Sequence, residues 1–432
     1  MAQIRPFAAI RYTRRGLDLS QVIAPPYDVL DEQAKTALQA KHPNNIVEID
    51  LPHLPPKAVG PDAAYERAGQ TLRRWLSEGI LMRDSRPAFY PYMQSFEHGG
   101  RMFHRRGFFA LVRLSPFGKG QVVPHELTYK GPIEDRLRLM RATGVQLSPI
   151  FGLYNDPENL VTAALYRNLG RPEQSAVLEE VRHDLWSISD AEVENRVIDL
   201  MGSRPIYIAD GHHRYTTALQ YQAEAQHVAG WPLPESHPAN WCLFVLVGMQ
   251  DPGLLILPTH RMIGGLRTFD MDVLRARLGA TFEVSEVGGA DIEHYANHVL
   301  RQRPPHTFGL FDGRLRRLYE LRLRNPDVLA SLEPDKSPHW RQLDVAILQR
   351  YLLDEVIEPA FAGGELVKGY TADAAQVAPQ VDGQRYQIAL LLQPTPLLAL
   401  EQLGRSGEVM PQKSTYFYPK LATGMVINPL QP

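Results

Sequence analysis

A chain of 432 residues with 44% hydrophobic content can bury at least one large core, and its length favours two or three structural units over one. Its single cysteine, Cys242, excludes an intrachain disulfide and a zinc site built on thiolates. Lys and Arg number 46 against 48 Asp and Glu, and this formal charge of −2 is spread along the chain, so a nucleic-acid partner is not expected.

The first residues, Met1 to Pro6, lack the basic end, apolar stretch and cleavage site of a secretory signal. No window approaches the ~18 apolar residues of a membrane helix, so the sequence predicts a cytoplasmic protein without a membrane partner. Ala24-Pro25-Pro26-Tyr27-Asp28 reads as a rigid loop, because two successive prolines cannot donate backbone hydrogen bonds. Asp31 is placed to cap a helix over 32–41, and a second helix over 63–78 stops at Gly79. Residues 88–94 and 105–113 read as an antiparallel hairpin turning at 98–101. A basic helix over 133–143 follows, then a buried strand at 150–154 and helices over 158–169 and 190–201.

At the centre, 205–209 is a short β-prone run, Asp210-Gly211 breaks it, and 212–225 has good helix formers without Pro or Gly. The apolar runs 241–249 and 253–258 read as strands of one sheet, the second delivering Thr259, His260 and Arg261 at its end. Cys242 lies in the first of these runs and reads as a core thiol. Residues 343–357 are predicted helical and 386–392 a strand, while 52–61 and 231–238 look like surface loops. The fold class is α/β (α+β) with mixed sheets, and borders fall near 155 and 290. They give an N-terminal region (1–155), a central region (156–290) and a C-terminal region (291–432).

A strand that ends in a glycine turn and opens a helix presents backbone N–H groups and the positive end of the helix dipole to one point. Gly211 lets an anion approach the backbone, and His212, His213 and Arg214 add donors in the first helical turn. Cations there oppose the dipole by roughly 0.3–1 kcal/mol each, a cost that a bound phosphate would offset. Two plainer readings stay open. Asp210 caps the helix and the histidines are ordinary residues, or His212 and His213 join His125, Glu126 and His260 on a divalent metal. Neighbouring helical residues point about 100° apart, so no dedicated metal site is expected.

Three further clusters are polar. Glu126, beside His125, could take the proton of a hydroxyl, or be a solvated loop residue. His260 and Arg261 stand where open α/β sheets hold ligands. Lys413, Ser414 and Thr415 carry donors suited to a phosphate or carboxylate, although no P-loop glycines precede them, and the segment could equally be aromatic packing with solvated lysines.

Taken in order, Ala24-Pro25-Pro26-Tyr27-Asp28, His125-Glu126-x-Thr128, Ser148-Pro149-Ile150-Phe151, Ala209-Asp210-Gly211-His212-His213-Arg214, Pro258-Thr259-His260-Arg261 and the run from Met410 to Lys420 resemble the bacterial domain-of-unknown-function family 1015. The resemblance covers nearly the whole chain. It departs from the family pattern at Gln146, where asparagine is usual, at Gln393, which replaces an asparagine, and at Ala372, which replaces a histidine. The Asp-Gly-His-His-Arg turn is also similar to an element of the ParB and sulfiredoxin superfamily, and within it to the turn of free-serine kinase.

That second resemblance implies a ParB/sulfiredoxin-like nucleotide-binding core with additional α/β regions on either side. It also implies a kinase using ATP or ADP with Mg2+, acting on a small hydroxyl compound such as free L-serine. Gly211, His213 and Arg214, with His260 and Arg261, would hold phosphates. Glu126, Asp210 and His212 would be catalytic, and Lys413, Ser414 and Thr415 would hold the substrate. A nucleotide-gated regulatory protein is the alternative function, and a homodimer is left open. A sulfiredoxin-like reaction is excluded because the lone cysteine lies in an apolar strand.

Overall fold

The computed structural model describes residues 3–13, 16–288 and 291–430. It divides into two compact units, the first drawn from Met1–Pro124, Thr128–Leu254 and Pro419–Pro432, the second from His125–Leu127 and Leu255–Tyr418. The sequence reading set borders near 155 and 290. Residue 155 directly follows an interior strand of the first unit's sheet, whose partners come from distant parts of the chain.

The first unit is built on a nine-stranded mixed sheet. Its strands are β1 (Ile4–Arg5), β2 (Tyr90–His98), β3 (Arg101–Arg113), β4 (Val122–Val123), β5 (Ile150–Tyr154), β6 (Gln174–Leu178), β7 (Val181–Leu185), β8 (Ile206–Asp210) and β9 (Trp241–Gly248). They run in the order β4-β8-β5-β9-β3-β2-β7-β6, with β1 also paired to β3. β2 and β3 form the expected hairpin, turning at Gly99 and Gly100, both with positive φ. β5 and β9 are buried along their whole length, as unbroken apolar runs require when both faces of a sheet are covered.

The predicted helices are present in this unit. α1 (Glu32–Lys41) is capped by Asp31, whose carboxylate accepts from the Ala34 N–H at 2.8 Å. α2 (Asp62–Ser77) buries Tyr65, Ala68, Leu72 and Trp75 on one face. α3 (Lys130–Thr143) ends at Gly144 with φ +67°, and α4 (His212–Ala229) ends at Gly230 with φ +74°. Tyr215 joins α4 to the core, its ring edge-on to Phe244 at 6.0 Å and stacked on Phe117 at 5.1 Å. Its hydroxyl accepts from the Ser115 N–H at 3.1 Å and donates to the Ser115 carbonyl at 2.9 Å.

The second unit holds a six-stranded, wholly antiparallel sheet. Its strands are β10 (His260–Leu266), β11 (Phe282–Val287), β12 (Thr307–Asp312), β13 (Arg317–Leu323), β14 (Ala362–Thr371) and β15 (Ile388–Leu391), ordered β11-β13-β12-β15-β10-β14. Its core gathers Met262, Tyr295, Phe311, Leu318, Val377 and Leu391. The helix expected over 343–357 runs as continuous helical chain from Asp344 to Phe361.

One pairing expectation is corrected. Residues 241–249 and 253–258 do not share a sheet. Leu255–Leu257 instead pairs antiparallel with Tyr416–Tyr418, and His260, which follows its end as expected, opens strand β10. A short apolar run carries no mark of its partner, and here the partner lies near the carboxyl end. The architecture is mixed α/β, and no helix among the described residues is long and apolar enough to cross a membrane.

Candidate functional site

In the first unit, β8 delivers Asp210 to Gly211, whose φ of +97° is left-handed, and α4 begins at His212. Only glycine adopts this conformation cheaply. A Cβ at position 211 would also lie 3.1 Å from the Arg214 guanidinium, which folds back over the turn. The plainer reading, in which Asp210 caps the helix, does not describe this turn, since the N-cap is Gly211. The Asp210 carboxylate instead accepts from the Lys420 ammonium at 2.8 Å, and Arg214 Nη2 stands 3.7 Å from its other oxygen. Burial by itself raises the carboxyl of Asp210, but Lys420, then Arg214 and His212, outweigh it and hold the group well below the usual carboxylate range.

Lys420 reaches Asp210 because the carboxyl-terminal segment is stitched into this unit. The Pro419 carbonyl accepts from buried Arg105 at 2.6 Å and the Lys420 carbonyl from Gln94 at 2.9 Å. Thr423 and Ile427 continue the stitching against Ala24 and Ile10. Burial lowers Arg105 to about 10, which leaves it cationic at neutral pH. The sequence places Lys420 at the end of an aromatic run but shows nothing of its pairing with residue 210, so its role went unread.

The two histidines differ. His212 is buried at 6% exposure. His213 stacks on the Tyr129 ring at 6.3 Å, and its Nε2 accepts from the Tyr129 N–H at 3.1 Å, which places the ring proton on Nδ1. Arg214 Nη1 donates to the Pro149 carbonyl. It also borders a cavity of about 40 Å³ with Tyr27, Asp50, Arg136, Ser148 and Cys242. Three stretches singled out in the sequence, around Tyr27, Ser148-Pro149 and Arg214, thus meet within one unit. Asp50 and Arg136 escaped notice because they sit in unremarkable helices. Gln146 has a packing role: its amide oxygen accepts from Leu243 N–H and Asn428. Burial pushes the Cys242 thiol up to about 12, as a core thiol requires.

The remaining sequence candidates belong to the second unit. Arg261 is buried, and its guanidinium donates to the carbonyls of Thr259, Gln412 and Lys413, at 3.4 Å and 2.9 Å for the last two. Burial lowers it to about 10, against the opposing pull of Tyr370 and Glu126. His260 is fully buried, and burial, then Arg261 and Arg301, push it down to about 3, so it is neutral at physiological pH. His125 Nε2 lies 3.0 Å from Thr415 Oγ1 and 3.9 Å from Glu126. Ser414 is buried with its hydroxyl donating to the Pro411 carbonyl, while Lys413 is exposed with φ +58°. Glu126, Arg261, Lys413 and Thr415 are therefore gathered in this unit. Asp210, Gly211, His212, His213 and Arg214 are gathered in the other. Among the described residues no group of three or more His, Cys, Asp or Glu is arranged to hold a metal.

No curated protein matches the sequence. Similar solved structures include a free serine kinase in complex with AMP, at 13% identity and a TM-score of 0.30, covering 69% of this chain and 83% of that one. A carboxyl-terminally truncated SbnI from Staphylococcus aureus is similar at 12% identity and a TM-score of 0.35, covering 74% and 87%. A conserved hypothetical protein from Pyrococcus furiosus is similar at 17% identity and 0.29, covering 70% and 89%. The family model described as "Protein of unknown function (DUF1015)" matches residues 4–346, and the chain belongs to that family.

Proposed function

We propose that this protein is a nucleotide-dependent phosphotransferase acting on a small hydroxyl compound, with free L-serine the leading acceptor and ATP or ADP, carrying Mg2+, the donor. The observation that carries the reading is the turn itself, where a strand passes through left-handed Gly211 into the 18-residue helix α4 with Arg214 folded over the glycine. Anions are favoured at such a helix start, and a guanidinium grips phosphate through paired N–H donors. In this reading the Gly211 N–H, His213 and Arg214 hold phosphate oxygens, and His212 lies beside the transferred group. Asp210, kept ionised by Lys420, is a weak base and serves to position Lys420 and Arg214. Glu126, Lys413 and Thr415, expected from the sequence as proton acceptor and substrate contacts, belong to the other unit and take no step in this reading.

His260, Arg261 and Ser414 drop out of the ligand set, the first because it is neutral and fully buried, the other two because their donors are committed to backbone carbonyls. Transfer forms a bond from the acceptor oxygen to phosphorus as the bond to the departing nucleotide breaks, and the hydroxyl proton passes to water. A Mg2+ ion arriving with the nucleotide would supply charge neutralisation at the phosphates. The test is calorimetric titration with ATP and ADP. Wild type should bind one of them, whereas His213→Ala and Arg214→Ala should lose binding with little change in Tm. Unchanged binding in both variants removes the proposal. Nucleotide consumption that L-serine does not accelerate would point instead to a regulatory switch.

A further inference from the structure

The cavity of about 40 Å³ beside Arg214 is not absorbed by that reading. A space of 10–15 Å³ admits one water, so this one holds roughly three, equivalent to ~90 Å³ of liquid. That suits a ligand the size of a small amino acid.

Its walls carry charged groups of opposite sign. Asp50 is 4% exposed, and its carboxylate accepts only two long hydrogen bonds, from Ser148 Oγ at 3.2 Å and Arg136 Nη1 at 3.4 Å. A buried carboxylate ordinarily gathers several close donors. Nearby Asp28 adds negative charge that acts on Asp50, and its Oδ1 is buried without a hydrogen-bond partner. Arg214 is half-buried across from it. Nη1 donates to the Pro149 carbonyl, Asp210, already held by Lys420, is 3.7 Å away, and the guanidinium charge also acts on Asp50, which leaves most of its five N–H donors open to a ligand. Arg136 lies on the Tyr27 ring at 3.9 Å with its Nε on Asp135 and its Nη1 on the Asp50 carbonyl, while its Nη2, ion-paired with Asp135 at 2.7 Å, is buried without a hydrogen-bond partner and adds a second cationic donor to the wall. Leu139, Met140 and Ile150 supply an apolar wall between the polar groups.

We infer that this cavity binds a small α-amino acid as its zwitterion, the ammonium on Asp50 and Ser148 and the carboxylate on Arg136 Nη2 and the donors of Arg214 that a phosphate leaves free. Binding is a property of the cavity alone. Its role as the acceptor site rests on the phosphotransferase reading above, and it narrows the acceptor class to hydroxy amino acids.

The test is calorimetry on the full chain, without nucleotide, using L-serine, ethanolamine, glycolate and glycerol. L-serine should bind, and ethanolamine, lacking the carboxylate, and glycolate, lacking the ammonium, should each bind at least tenfold more weakly. Asp50→Asn should weaken L-serine at least tenfold. Because Asp50 also holds Arg136, Ser148→Ala is the second variant, with circular dichroism to verify folding and an expected loss of about fivefold. Absence of L-serine binding to wild type, equal binding of glycolate or glycerol, or unchanged L-serine affinity in both variants would each overturn the inference. ATP and ADP titrations of the same samples keep the two proposals separable: nucleotide binding without amino-acid binding defeats this one alone.

Discussion

Half-buried Arg214 and buried Arg261 look alike in the sequence, each following a histidine near a strand end, yet they do opposite things with their donors. Arg261 directs its guanidinium at the carbonyls of Thr259, Gln412 and Lys413 and so ties the start of β10 to the 410–418 segment. Arg214 makes one such bond and leaves the rest of its fork facing a cavity and an already paired carboxylate. Both are largely withdrawn from water, so burial alone does not separate them. Hydrogen-bond saturation does: a buried guanidinium whose donors end on backbone is a strut, and one with donors to spare is poised for an anion.

The largest expected effect falls on the strut. Arg261→Ala strands three buried or half-buried carbonyls at a cost of ~1–3 kcal/mol for each left unsatisfied. Partial hydration should bring the total to about 3 kcal/mol in urea denaturation. Nucleotide affinity, referred to the folded fraction, should not change. Arg214→Ala should show the reverse, with under ~1 kcal/mol lost and ligand binding abolished. A reversal of these two patterns would break the comparison.

Next in size is the anchor that holds the helix carrying Arg214. Tyr215 is a fully buried ring whose hydroxyl makes both hydrogen bonds to Ser115. Tyr215→Phe keeps the packing and loses only the polar end, about 1–2 kcal/mol by denaturant titration. If Tyr215→Phe also lost nucleotide affinity, the hydroxyl would be steering the turn as well as holding the helix.

How much of this could be read from the chain follows from which forces are local. The Gly211 turn was legible because a β-prone run, a glycine and an uninterrupted helical stretch lie consecutively, and each obeys a rule of backbone geometry. Asp31 as a cap was legible for the same reason. The partnership of Asp210 with Lys420 was not, since 210 residues separate them and the link depends on Arg105 and Gln94 fixing the carboxyl-terminal segment. The same applies to Leu255–Leu257, whose partner strand is distant, and to Asp50, an ordinary helical aspartate until folding buries it beside Ser148. Saturation of Arg261 is likewise a tertiary fact, which is why its residue type and position gave it a ligand role that its hydrogen bonds do not support.

The smallest expected effect concerns pH and isolates Lys420. In the folded chain Asp210 titrates below its unfolded value of ~3.9. The unfolded chain therefore binds the proton first as pH falls, so the stabilisation is fully present above pH ~4 and is lost as pH drops toward the depressed folded value. Both partners keep some solvent contact, with side-chain exposures of 19% and 23%, so screening should hold the contribution to about 1 kcal/mol. Lys420→Met keeps the aliphatic stem and removes the charge. Its unfolding free energy should lie about 1 kcal/mol below wild type at pH 6, and the gap should narrow as pH is lowered from 4 to 2. A gap that stayed constant across that range would mean Lys420 stabilises the turn through packing, and the ionised state of Asp210 would then have to be credited to Arg214 and His212 instead.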